Sequence, residues 1–314
     1  MSFAAVFPGQ GSQSIGMLAA LSDRYPQVRE TFQEASDVLG LDLWPLTQNG
    51  PVEELNQTRL TQPIMLTAGT AVWRVWDEEG GCRPDVMAGH SLGEYTALVC
   101  AGALRFEDAV RVVAERGRLM QEAVAQGVGA MAAILGLADE KVQELCVKAA
   151  EGDVVEAVNF NAPGQVVVAG HAAAVERMMA LAIEAGAKRA LPLPVSVPSH
   201  CSLMTPAAEA MREVLAGVEI STPSIAVTHN YDVATHADPA GIREALVQQI
   251  NHPVRWVETI EGFADEGISV VFEFGPGKVL SGLNKRIDRT LKVLCVEDGK
   301  STDAALALCE EYGS

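Results

Sequence analysis

Ser91 is the residue of this sequence best placed to do chemistry. It sits in Gly89-His90-Ser91-Leu92-Gly93, after a short apolar run at 86–88 and before an apolar, helix-like segment from Glu94 to about Ala101. A sharp strand-to-helix turn lifts a serine hydroxyl out of a sheet, and glycines on both sides remove Cβ atoms for which such a turn has no room. The amide of Leu92 then points to where an oxyanion would form, at a helix N-terminus. That is the geometry of a nucleophile that forms an acyl ester. An ordinary glycine-rich turn between strand and helix is the alternative reading of the same residues.

A serine nucleophile needs a base, and the chain offers His90, His171, His200, His229, His236 and His252. His90 is next to Ser91, where a side chain points away from the hydroxyl of an elbow. His171 opens a helix. His200, in Val197-Pro198-Ser199-His200, lies where the chain passes between two structural units, and a cleft between units is a common place for a site. His252 is its main rival, and a solvated loop residue is the default reading of any one of them.

Two further features call for a reason. Phe7-Pro8-Gly9-Gln10-Gly11-Ser12-Gln13 follows an apolar strand at 4–7. It fails as a dinucleotide fingerprint because position 14 is serine, and as a P-loop because the Gly-Lys-Ser/Thr ending is missing. What remains is a loop with free amides, able to give a second oxyanion donor or to serve only as a tight turn. Arg116 falls on the apolar stripe of a helix predicted over 106–125, with Ala109, Val112, Val113, Met120 and Val124. A buried guanidinium costs several kcal/mol unless paired. Either a carboxylate of the protein or of a substrate meets it, or the side chain snorkels to water.

The elements that must hold these residues are those of an α/β protein. The strand at 4–7, the strand at 86–88 and a strand at 270–274 ending in Gly275-Pro276-Gly277 are separated by helical patterns, which argues for a parallel sheet. The last of these leads into a helix from Lys278. Residues 126–196 change rhythm. Strand 130–137, a helix capped by Asp139 and running to 150, strands 154–160 and 166–169 joined through Asn161-Ala162-Pro163-Gly164, helix 172–185 and strand 189–197 follow in turn. The order βαββαβ is that of a ferredoxin-like module. The expected organisation is a large domain of residues 1–125 and 197–314, with a small domain, 126–196, inserted in it.

With 48 % hydrophobic and 20 % charged residues over 314 positions, the chain has the balance of a globular protein. Its 41 acidic against 23 basic residues repel nucleic acid and anionic lipid, so neither is expected as a partner. No apolar stretch is long enough to span a membrane, and the apolar N-terminal run lacks the preceding basic residue of a leader. A soluble, cytoplasmic protein is expected. The six cysteines show no zinc spacing and no disulfide framework, so reduced thiols and no metal are expected.

Taken together these motifs resemble the malonyl-CoA:acyl-carrier-protein transacylase family, nearly end to end. The segments are FPGQGSQ at 7–13, GHSLGEY at 89–95, RGRLMQ at 116–121, NAPGQ at 161–165, PSHC at 198–201, QQINHPVRW at 248–256 and FEFGPG at 272–277. The resemblance implies an α/β-hydrolase-like large domain with a parallel sheet. It implies Ser91 as nucleophile, His200 as base, the amides of Gln10 and Leu92 as oxyanion hole, and Arg116 as the group that binds the malonyl carboxylate. It also implies that the carbonyl of Gln249, not an acidic side chain, orients His200. The implied substrates are malonyl-CoA and the phosphopantetheine arm of an acyl carrier protein, with no bound cofactor. An acidic carrier meeting an acidic enzyme needs a local basic patch, for which Lys188-Arg189 and Lys285-Arg286 are candidates. A serine hydrolase, a malonyl transferase of polyketide assembly or malonate decarboxylation, and a non-enzymatic binding module are the rival readings.

Overall fold

The computed structural model describes residues 2–195 and 197–313. Two sheets organise them. The first is parallel and five-stranded: β1 (Phe3–Phe7), β2 (Val86–Gly89), β7 (Ala226–Thr228), β8 (Val270–Phe274) and β9 (Lys292–Val296), in the spatial order β7-β2-β1-β8-β9. Its central strands β1 and β2 read as continuous apolar runs because both faces are covered. Along β1, Phe3, Ala5 and Phe7 enter one core while Ala4 and Val6 enter the other, the period-two alternation of a strand. Each such buried phenylalanine contributes roughly 1.5–3 kcal/mol of transfer free energy.

Parallel pairing brings the C-terminal ends of neighbouring strands to one edge, where ligands of open α/β sheets bind. Phe7 is paired with Gly89, and Ala88 with Thr228. The loops that begin at Pro8, His90 and His229 therefore emerge side by side. This register places the elbow between the Gln10 loop and Asn230, although the three lie far apart in the chain.

The second sheet is antiparallel and holds β3 (Gly129–Leu135), β4 (Val155–Ala162), β5 (Gln165–His171) and β6 (Arg189–Pro192), in the order β4-β5-β3-β6. Helices Asp139–Ala150 and Ala172–Glu184 cover one face and share its core. This is the βαββαβ arrangement that the strand and helix rhythm predicts. It joins the first unit through β4, where Phe160 N donates to the Val254 carbonyl and Val254 N to that of Val158.

Several local expectations are corrected. The turn between β4 and β5 is Pro163-Gly164 alone, since Asn161 and Ala162 still belong to β4 and Ala162 pairs with Gln165. Asp139 lies in the first helical turn and Ala138 holds the cap position. The strand expected over 189–197 ends at Pro192, because Pro194 has no N–H to extend the ladder; Ser196 lies outside the described residues. The helix that carries Arg116 is Phe106–Glu122, which leaves Val124 beyond its end. Cys82 and Cys309 form a disulfide that ties the C-terminal helix, Gly299–Gly313, to the loop before β2. They were expected to be reduced. With the two 227 positions apart in sequence, only the fold brings their Cα atoms to 5.8 Å. Cys100, Cys146, Cys201 and Cys295 are free thiols.

Candidate active site

The elbow is built by close packing of backbone on backbone. A Cβ on Gly89 would lie 1.9 Å from the Gly93 carbonyl, and one on Gly93 would lie 2.1 Å from the Phe7 carbonyl oxygen. Both positions therefore require glycine. Ser91 itself takes a left-handed backbone conformation, φ 51°. Such a conformation costs an L-residue about 1–2 kcal/mol, and the surroundings must hold it. They do so at both ends of the residue. The Ser91 N–H donates to Asn230 Oδ1 at 2.7 Å, and the Ser91 carbonyl accepts from Gln249 Nε2 at 2.8 Å.

His200 also has a left-handed backbone, φ 67°, and is buried. Its Nε2 lies 2.7 Å from Ser91 Oγ, and its Nδ1 lies 2.7 Å from the main-chain oxygen of Gln249. A carbonyl only accepts, so Nδ1 carries the proton and Nε2 is left as an acceptor facing the serine hydroxyl. Burial first, and then the Arg116 guanidinium, push the imidazole down to about 3. At neutral pH this histidine is an uncharged base. His252 lies elsewhere, with its ring against Tyr231 and its Nδ1 at the Gln248 carbonyl.

Arg116 is 1 % exposed and does not snorkel. Its Nη1 donates to Gln62 Oε1 at 2.8 Å and its Nη2 to Gln249 Oε1 at 2.8 Å, with Ser91 Oγ at 3.3 Å from Nη2. Its guanidinium carbon stands 5.6 Å from the centre of the Tyr95 ring. Burial lowers its pKa, yet a guanidinium stays charged at any working pH. Two neutral amide oxygens thus hold the cation, and among the described residues its Nε has no hydrogen-bond partner. A cavity of about 110 Å³ opens here, bounded by Ser91, His200, Arg116, Gln62, Met120 and Met131. A small acyl group with a free carboxylate fits its charge.

The Gln10 loop and the helix N-terminus at Leu92 bound the same cavity. Among the described residues, neither the Gln10 nor the Leu92 main-chain amide is engaged by a hydrogen bond. Free donors on either side of a nucleophile are what an oxyanion needs.

The fold thus gathers Ser91, His200, Arg116, Gln10 and Leu92 around one cavity, with Gln249 buried behind them and bonded to Ser91, His200 and Arg116. His90 turns its ring to Asn161 Oδ1, 2.8 Å away on β4. His171 and His236 lie apart from the cavity, against Val154 and Asp232. Several partners were not read from the sequence. Gln62, Asn230 and Glu94 hold Arg116, the Ser91 peptide and Gln249 respectively. Of these, only Glu94 left a trace: it is a charged residue in an otherwise apolar helix, one turn after Ser91. Among the described residues, no group of three or more His, Cys, Asp or Glu side chains is arranged to hold a metal ion, and no helix is long and apolar enough to cross a membrane.

The chain resembles known proteins over nearly its whole length. The family model described as acyl transferase domain matches residues 5–305. The malonyl CoA-acyl carrier protein transacylase of Salmonella typhimurium is 57 % identical over 304 residues, covering 97 % of this chain and 98 % of that protein. The solved structure of the malonyl CoA-acyl carrier protein transacylase of Coxiella burnetii superposes with a TM-score of 0.97 at 51 % identity, over 98 % of this chain and 97 % of that one. A malonyl-transacylase solved in complex with its type II PKS acyl-carrier protein gives a TM-score of 0.97 at 55 % identity, over 98 % of this chain and 100 % of that one. The chain belongs to the acyl transferase domain family and, within it, to the malonyl CoA-acyl carrier protein transacylases.

Proposed function

We propose that this protein moves a malonyl group from malonyl-CoA to the phosphopantetheine thiol of an acyl carrier protein through a malonyl ester on Ser91. It thereby supplies extender units for fatty acid synthesis in the cytoplasm. The observation that carries the reading is a nucleophile held between a neutral base and a buried cation. Ser91 Oγ lies 2.7 Å from His200 Nε2 and 3.3 Å from Arg116 Nη2.

Ser91 Oγ attacks the thioester carbonyl as its proton passes to His200 Nε2. The Gln10 and Leu92 amides take the oxyanion; losing one such donor costs about 10²–10³ in rate. The imidazolium returns the proton to the departing CoA thiolate. The carrier thiol then reverses the sequence, with His200 again as base, so the kinetics are ping-pong. Among the described residues, no acidic side chain is hydrogen-bonded to His200. The Gln249 carbonyl fixes its tautomer, and the malonyl carboxylate on Arg116 neutralises the nearby charge that opposes formation of the imidazolium. No bound cofactor takes part in this scheme.

In this reading the site lies between a large domain of residues 1–125 and 197–314 and a small one of 126–196. The carrier docks near Lys188, Arg189 and Arg286, which border one surface cleft beside the Pro163-Gly164 turn. All three are exposed, and among the described residues none forms an ion pair. Lys285 stands next to Arg286 in the chain and borders another cleft.

Intact-mass measurement tests the proposal. Malonyl-CoA alone should add one malonyl group at Ser91, and holo carrier protein should then remove it. Release of free malonate without a carrier would make the protein a hydrolase. The likeness to a transacylase bound to a type II PKS carrier makes the choice of carrier, fatty-acid or polyketide, the second arm of the experiment.

A further inference from the structure

Beneath the elbow lies a buried carboxylate that no step above uses. Glu94 is fully buried in the helix Gly93–Cys100 and receives three hydrogen bonds. His229 Nδ1 lies 2.7 Å from one of its oxygens; Asn230 N and Gln249 Nε2 each lie 2.9 Å from the other. The last two belong to the residues that bracket Ser91. Asn230 also donates through Nδ2 to the Gly89 carbonyl, 2.7 Å away.

We infer that Glu94 is a positioning residue that fixes which way the Gln249 amide faces. A primary amide has two N–H donors at one end and an acceptor at the other. Both Gln249 donors are spent on the Glu94 side of the elbow, one on Glu94 Oε2 and one on the Ser91 carbonyl. The oxygen is thereby turned toward Arg116, which needs an acceptor. Reversing the amide would set an N–H against the guanidinium and an oxygen against both the carboxylate and the Ser91 carbonyl. Glu94 also places a negative charge one residue removed from Arg116, and its field favours the guanidinium cation. The relay Glu94–Gln249–Arg116 thus couples the floor of the nucleophile to the group that faces the acyl carboxylate. The main-chain oxygen of the same Gln249 holds His200.

This inference rests on the transacylase reading for its assay, and the test separates the two. Glu94→Ala removes every acceptor. Glu94→Gln keeps one oxygen, which can still serve Asn230 N and Gln249 Nε2, while the His229 tautomer adjusts to the new amide. Acylation of Ser91 by malonyl-CoA and by acetyl-CoA is followed by quenched intact mass. The expected result for Glu94→Ala is a fall of at least about tenfold in the malonyl-to-acetyl ratio of kcat/KM, the scale of one hydrogen bond to a charged group. Glu94→Gln should retain most of the ratio. A merely structural role would slow both acyl groups alike, and an unchanged ratio in folded Glu94→Ala overturns the inference. If that variant does not fold, Gln249→Leu decides: it keeps the carbonyl that holds His200, and its ratio should fall similarly. An unchanged ratio there overturns the inference too. Should the parent protein take no malonyl group at all, the functional reading fails by itself. Crystal structures of Gln249→Leu and of the parent then still decide, since Arg116 held unmoved without the Gln249 oxygen, or an amide reversed beside the intact Glu94 of the parent, refutes the relay.

Discussion

Replacing Arg116 by alanine separates recognition of the acyl group from the chemistry of its transfer. A malonyl carboxylate on the guanidinium makes charge-assisted hydrogen bonds worth about 1.5–3 kcal/mol net, or roughly 10- to 150-fold in kcat/KM. The upper part of that range is expected. Arg116 is 1 % exposed, and Gln62 and Gln249 hold it in place before substrate arrives, so little is lost to screening or reordering. Acetyl groups have no carboxylate to lose. Removing the cation also lifts one of the two main effects that depress the His200 pKa, which if anything strengthens the base. Malonyl transfer should therefore fall at least about tenfold relative to acetyl transfer, with acetyl transfer little changed. The variant leaves two amide oxygens without a donor, so its melting temperature is measured first and the rates are taken well below it. Quenched intact mass with the two CoA thioesters gives the ratio. An equal change for both substrates would show that Arg116 supports the fold of the site and does not read the acyl group.

The pH dependence follows from His200. Its folded pKa of about 3 lies below the ordinary 6.5, so between these values the unfolded chain binds the extra proton. Stability from this group is complete above 6.5 and is lost as pH falls toward 3; the acid limb of kcat/KM should lie well below 6.5. Malonyl bound at Arg116 offsets the guanidinium, so the acid limb of the malonyl-loading step in the complex should lie higher than that of free enzyme, and coincident limbs would argue against this coupling. Gly93→Ala should destabilise the fold by about 3 kcal/mol, because its Cβ meets a main-chain oxygen at 2.1 Å and backbone yields little. An unchanged urea midpoint would contradict so close an approach. Reversing the charges of Lys285 and Arg286 should raise the KM for carrier protein and leave that for malonyl-CoA alone; if neither moves, the carrier docks elsewhere.

What could be read from the sequence was local. The elbow at Ser91 follows from glycine spacing within five positions. The alternation of strands and helices gives a parallel sheet, and the βαββαβ rhythm read over 126–196 gives the smaller one. The periodic stripe of the helix Phe106–Glu122 marks Arg116 as a cation out of place. Each of these signals is fixed by backbone dihedrals and side-chain periodicity over a few residues. The residues alone left His200 and His252 open, and only the ordered motifs of a known family preferred the first.

Proximity across the chain was not legible. His200 stands 109 positions from Ser91, Asn230 139 and Gln249 158. Gln62 and Glu94 carry no spacing that ties them to Arg116 and Gln249, and nothing near Cys82 points to Cys309. Sequence by itself determined which backbone turn presents the serine and which helix carries the buried arginine, because those depend on neighbouring residues. The tertiary structure alone decided what meets them, because the register of parallel strands and the docking of the second sheet set which distant loops share an edge.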